Sequence, residues 1–92
     1  MISHRLYRCN TVHMRHNKSG EIHYIKDLSR LGRPLERTII IDNLKTNYMW
    51  QKQNGVHIST WTDDEDDDQL LQLIPLLRQV VERQPTDVRP IL

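Results

Sequence analysis

Apolar residues in this chain come in short, strand-length bursts over the first sixty positions and then in one helical stripe. The densest burst is Thr38–Asn43, Thr-Ile-Ile-Ile-Asp-Asn. Three isoleucines are too few for a helix, and β-branched side chains suit a strand buried on both faces, as in a parallel sheet. A strand is therefore expected over Thr38–Asp42. Upstream, Leu6 and Tyr7 between Arg5 and Arg8 suggest a short strand near Arg5–Arg8. Thr11–His16 and Glu21–Ile25 flank Asn17-Lys18-Ser19-Gly20, a polar tetrapeptide ending in glycine, which predicts a β-hairpin. Asp27 is placed to cap a short helix running to Leu31, and Gly32 followed by Pro34 should end it. Tyr48, Met49 and Trp50 suggest a helical turn laid on the sheet. Asn54-Gly55 reads as a tight turn into a strand, Val56–Ser59, closed by Trp61. Leu70, Leu73, Leu77 and Val81, with Ile74 and Val80 beside them, predict a helix over 67–83. Pro75 should kink or break it. The tail, Gln84–Leu92, with two prolines, is expected to run extended over the surface.

Length narrows the choice: 92 residues make one small domain or a piece of a larger one, with room for a modest core. Thirteen basic against twelve acidic residues leave a net charge of +1, so bulk charge favours no partner. The signs are segregated, however. Residues 1–37 hold most of the positive charge, and acids crowd into 63–68. Carboxylates at the start of the last helix complement its dipole, which accounts for that run structurally. It lacks the central glycine and closing glutamate of a calcium loop. A single cysteine, Cys9, excludes an internal disulfide. No apolar run approaches the roughly 20 residues that span a bilayer, and no secretory signal is visible.

Two places carry candidate chemistry. The isoleucine strand stops at a carboxylate and a carboxamide, Asp42 and Asn43. Beyond the carboxyl end of a strand in an open α/β sheet, such a pair handles a hard cation or a phosphate, or it merely starts a turn. Lys26 follows a predicted strand and precedes a helix start, where an ammonium can meet an anion near backbone N–H groups; the alternative is a surface lysine. Zinc is disfavoured: His13-x-x-His16 on a strand sends its rings to opposite faces, and no second ligand pair exists at zinc-finger spacing. The basic N-terminal third has no aromatic platform or recognition-helix pattern, so no direct contact with nucleic acid is expected.

Longer stretches resemble a known family. Tyr24-Ile-Lys-Asp-Leu-Ser-Arg-Leu-Gly-Arg33, Ile39-Ile-Ile-Asp-Asn43, Gln53-Asn-Gly-Val56, Trp61 and Leu70-Leu-x-Leu-Ile-Pro-Leu-Leu77 are similar to the phosphatases that act on the carboxy-terminal domain of RNA polymerase II. That family includes Dullard and the NLI-interacting-factor-like enzymes, within the haloacid dehalogenase superfamily. The resemblance implies an α/β fold, here a partial doubly wound parallel sheet lacking its first, central strand, with a β-hairpin near the N-terminus and a C-terminal helix. Its segments are 5–25 (strand and hairpin), 26–61 (a βαβ-type core), 67–83 (helix) and 84–92 (tail).

The same resemblance implies magnesium-dependent removal of phosphate from phosphoserine or phosphothreonine proteins through an aspartyl-phosphate. Lys26 would be the catalytic lysine that steadies it, Asp42 and Asn43 the late pair that helps hold magnesium, and Arg8 the arginine that contacts substrate. The family's Asp-x-Asp-x-Thr nucleophile motif is absent from these residues, so no turnover is expected from them alone. A complementing N-terminal half, or self-association through a bared sheet edge, is the corresponding expectation. Cys9 replaces the usual acid after Arg8, and Leu44-Lys45 stands where the family has Ser-Pro. A second branch with the same domain is the presequence receptor of the mitochondrial inner-membrane translocase, which binds a presequence peptide and does no chemistry. The ending Asp87-Val-Arg-Pro-Ile-Leu92 resembles that branch, and Dullard-type proteins carry a similar ending. The phosphatase branch implies the nucleus or its envelope, and the receptor branch the mitochondrial inner membrane.

Overall fold

The computed structural model describes residues 2, 4–59 and 68–92. Strand β1 (Val12–Arg15) and strand β2 (Ile22–Ile25) form an antiparallel hairpin, with His13 opposite Tyr24 and Arg15 opposite Ile22. The expected loop chemistry is in place. The His16 N–H donates to the Glu21 carbonyl, the Gly20 N–H donates to the His16 carbonyl, and Gly20 takes the positive φ of +71° that closes the turn. The short strand expected at Arg5–Arg8 is not formed. Arg8–Asn10 is instead a 3-10 turn, because the Asn10 side chain accepts the Tyr7 N–H at 2.8 Å and folds the backbone back on itself.

Past the hairpin, Asp27 caps a 3-10 helix at Leu28–Leu31, and Gly32 ends it in the left-handed conformation, as its sequence predicts. A further 3-10 turn, Leu35–Arg37, leads into strand β3 (Ile40–Asp42). Strand β4 (Gly55–His57) pairs with β3 in parallel, Ile41 opposite Val56. Parallel neighbours need a crossover of about a dozen residues. Here it is the 3-10 segment Lys45–Asn54, bent at Tyr48 and Gln51, longer than the single turn expected. Gly55 follows with an ordinary φ of −96°, so the entry to β4 is the end of this helix and not a tight turn. Its lack of a side chain serves packing: a Cβ there would strike the ring of the buried Tyr48.

The class is α/β, with two two-stranded sheets among the described residues. The core is small: Ile25, Leu28, Tyr48 and Val88 are its buried apolar members, with Asp42 and Asn54 buried beside them. Strand β3 is not covered on both faces as its isoleucines suggest. Asp42 is buried while Ile41 stays 37% exposed. Asn54 stitches the crossover to the chain before β3, donating to the carbonyls of Leu35 (2.6 Å) and Thr38 (2.8 Å).

Helix α1 (Gln69–Arg83) runs through Pro75 without a break. A proline there removes one hydrogen bond, to the carbonyl of Leu71, and solvent can serve that group because Leu71 is exposed. None of α1 is buried, and Leu70, Leu71, Ile74 and Val81 face outward. The tail is not simply extended. The buried Val88 donates its N–H to the Glu36 carbonyl, and Arg89–Ile91 closes a last 3-10 turn. Trp61 and acids 63–67 lie outside the described residues.

Candidate functional site

Lys26 is the residue after β2, and its backbone is fixed before its side chain acts: the Lys26 N–H donates to the Asn47 carbonyl at 2.6 Å. Its ammonium then reaches the end of β3 and donates to Asp42 Oδ2 at 2.5 Å. The pair is asymmetric. The Asp42 side chain is 3% exposed and that of Lys26 49%, so a sunken carboxylate holds a cation that still faces solvent. Asp42 Oδ1 accepts the Leu44 N–H (3.0 Å) and the Asn47 carboxamide (3.2 Å). Burial by itself would raise the Asp42 pKa. The Lys26 ammonium, the Leu44 amide and Asn47 outweigh it, and the carboxyl is held below its ordinary value. The neighbouring Tyr48 hydroxyl is pushed up, by burial first and then by the Asp42 charge.

Asn43 follows directly, and its carbonyl accepts from His57 Nε2 at 3.1 Å, tying the exit of β3 to the end of β4. Arg8 stands apart from the Lys26–Asp42 pair. Its guanidinium lies 4.6 Å from the centroid of the Tyr24 ring, against which His13 packs edge-on at 4.8 Å. Of the four sequence candidates, then, the fold joins Lys26 to Asp42 directly, keeps Asn43 beside them by chain continuity, and seats Arg8 on the residue two before Lys26.

Sequence reading missed the residues that hold this together. Asn47 touches both partners, giving its carbonyl to Lys26 and its amide to Asp42. Gln51 clasps the other flank, donating to Asp27 Oδ1 (2.8 Å) and accepting the Leu28 N–H (3.0 Å). Asp27 itself sits below its ordinary pKa, first through the Ser29 hydroxyl and then, against burial, through Gln51. The asparagine five places after Asp42 is close in sequence and was a readable signal; nothing local marks Gln51.

The donor set bears on a divalent cation through its chemistry. Three of the roughly four lone-pair directions of the Asp42 carboxylate are engaged, leaving one, and Asn43 brings a carboxamide oxygen. Magnesium takes about six oxygens, many of them from water and phosphate. Asp42 and Asn43 fit as a minority share of such a shell. Among the described residues no group of three or more His, Cys, Asp or Glu gathers at one point.

The Lys26–Asp42 pair lies at the carboxyl end of β3, the place where open α/β sheets bind their ligands. The chain belongs to the NLI interacting factor-like phosphatase family, whose model matches residues 1–89. It is 44% identical over 92 residues to a probable C-terminal domain small phosphatase of Dictyostelium discoideum, covering all of this chain and 28% of that protein. It is 45% identical over 71 residues to the human CTD small phosphatase-like protein (77% of this chain, 24% of the relative). To the human carboxy-terminal domain RNA polymerase II polypeptide A small phosphatase 2 it is 46% identical over 57 residues (62% and 21%). The chain therefore spans less than a third of the length of these curated relatives.

Proposed function

We propose that these residues form the lysine-and-late-acid part of a phosphoprotein phosphatase domain acting on phosphoserine or phosphothreonine through an aspartyl-phosphate. The observation that carries this reading is the Lys26–Asp42 pair at the ends of β2 and β3. Lys26 keeps half its surface open, so its ammonium can contact a phosphate oxygen while Asp42 fixes its direction. That is the fixed positive charge phosphoryl transfer requires. Asp42 acts chiefly by aiming Lys26. Asn43, with the remaining lone pair of Asp42, provides the metal-side oxygens, and magnesium when bound supplies further positive charge against the phosphate. Arg8 contacts the substrate on the Tyr24 side of Lys26.

The phosphatase names of the relatives support this reading over a presequence receptor. The doubly wound sheet is part of the same proposal: the parallel β3–β4 pair is its fragment. The edge of β3 that no described strand pairs and the outward apolar stripe of α1 are then surfaces for further polypeptide, from a complementing N-terminal half or a second copy.

Incubation of the chain with a phosphoserine peptide and magnesium should release no phosphate above a blank. Adding a segment that carries Asp-x-Asp-x-Thr from a relative should start release, and Lys26→Met in this chain should stop it. Release by the chain alone that vanishes in Asp42→Ala would overturn the proposal, as would complemented release indifferent to Lys26→Met.

A further inference from the structure

The hairpin does more than lead the chain to Lys26. From His4 to Lys26 there are five lysines and arginines and one acid, Glu21. The β1–β2 register sorts them. Ile25 is fully buried, so strand alternation sends Tyr24 and Lys26 to the opposite face, together with His13, paired to Tyr24, and Arg15, paired to Ile22. Arg8 joins that face from outside the sheet by lying on the Tyr24 ring. Arg15, Arg8 and Lys26 thus follow one another along the outer face of the hairpin, with Tyr24 as the floor under the middle cation and His13 bracing the ring from its edge. The distance from Ile22 to Lys26 along an extended strand is about 13 Å. An extended peptide of about four residues covers it.

We propose that this face is a substrate track: it receives an acidic stretch lying to one side of the phosphorylated residue, whose phosphate reaches Lys26. Tyr24 is a positioning residue, holding Arg8 by its π-face at the place where the second or third acid of the peptide passes. Arg15 meets acids farther out. Each exposed ion pair of this kind multiplies affinity by roughly 1.5 to 5, so two of them separate acid-flanked from neutral peptides by about 2- to 25-fold, centred near fivefold, at low salt. This assignment rests on the phosphate reading of Lys26 made above, and the experiment separates the two.

Fluorescence anisotropy on the full chain, at low salt, would compare phosphoserine peptides with three acids before the phosphoserine, three acids after it, or neutral flanks, alongside unphosphorylated twins. The expected result is a phosphorylation-dependent signal for all three. One acid-flanked peptide should bind about fivefold tighter than the neutral one, and its mirror arrangement should gain little. Arg15→Gln and Tyr24→Ala should each reduce that ratio severalfold. Tyr24→Phe, which keeps the ring that carries Arg8, should leave it unchanged. Equal gains for acids on both sides, or a ratio untouched by Arg15→Gln and Tyr24→Ala, would overturn the track while leaving the phosphate site standing. So would tighter binding of a single-stranded RNA of equal charge. If neutral-flanked phosphopeptide binds no better than its unphosphorylated twin, the phosphate site itself is what fails.

Discussion

Replacing Lys26 with methionine keeps most of the side-chain volume and deletes the ammonium that faces Asp42. The Asp42 side chain is 3% exposed, so water cannot readily take the place of the ammonium, and the carboxylate is left with two neutral donors, Leu44 N–H and Asn47 Nδ2. A hydrogen bond to a charged group is worth about 1.5–3 kcal/mol, and the half-exposed lysine places this one near the lower end, about 1.5–2 kcal/mol. For a domain of this size that corresponds to a fall in Tm of about 10 °C. The loss has a pH signature. Asp42 has a folded pKa below its ordinary value, so its contribution is fully present above about pH 4–5 and is lost as pH falls through the lowered folded value. In Lys26→Met the largest opposing influence, burial, is less well offset, and the folded pKa moves up. The stability difference between the two proteins is therefore largest near pH 7 and shrinks as pH falls through the lowered folded pKa of Asp42. Urea unfolding followed by circular dichroism at pH 7 and pH 2.5 measures both quantities. A difference below about 0.5 kcal/mol at pH 7, or one that persists unchanged at pH 2.5, would refute the claim that Lys26 is held by a buried, ionised Asp42.

Two further substitutions probe the crossover that delivers Asn47 to the site. Gly55→Ala drives a methyl group into the ring of Tyr48, which is 4% exposed and has nowhere to retreat; a loss of about 1–3 kcal/mol in thermal or urea unfolding is expected. Asn54→Ala removes the buried donor shared by the Leu35 and Thr38 carbonyls and should cost about 1–3 kcal/mol, with Asn54→Asp no better because it offers acceptors where donors are needed.

How legible was this molecule beforehand? The hairpin, the Asp27 cap with its glycine stop and the long helix were readable because each rests on contacts within a few positions. Gly20 closes its own turn, Asp27 Oδ1 takes the N–H of Ser29, and α1 follows its own periodicity. The strand expected at Arg5–Arg8 was misread for the same reason in reverse: a single local hydrogen bond from Asn10 outweighed a weak apolar pattern. The isoleucine run was right about the strand and wrong about its cover. Burial of both faces depends on what else packs there, which a run of side chains cannot express.

The chain by its own order of residues determined most of the local elements and the family, and it offered Lys26, Asp42 and Asn43 as candidates. Tertiary structure decided the rest, because the decisive bonds join distant positions: Lys26 to Asp42 across 16 residues, Asp27 to Gln51 across 24, Asn54 to Leu35 across 19. Only a folded crossover brings Asn47 between a lysine and an aspartate. Only the hairpin register places Arg15, Tyr24 and Lys26 on one face with Arg8 lying over the ring. Residue types name the chemistry available; the geometry of pairing and burial selects which of those groups meet, and with what charge.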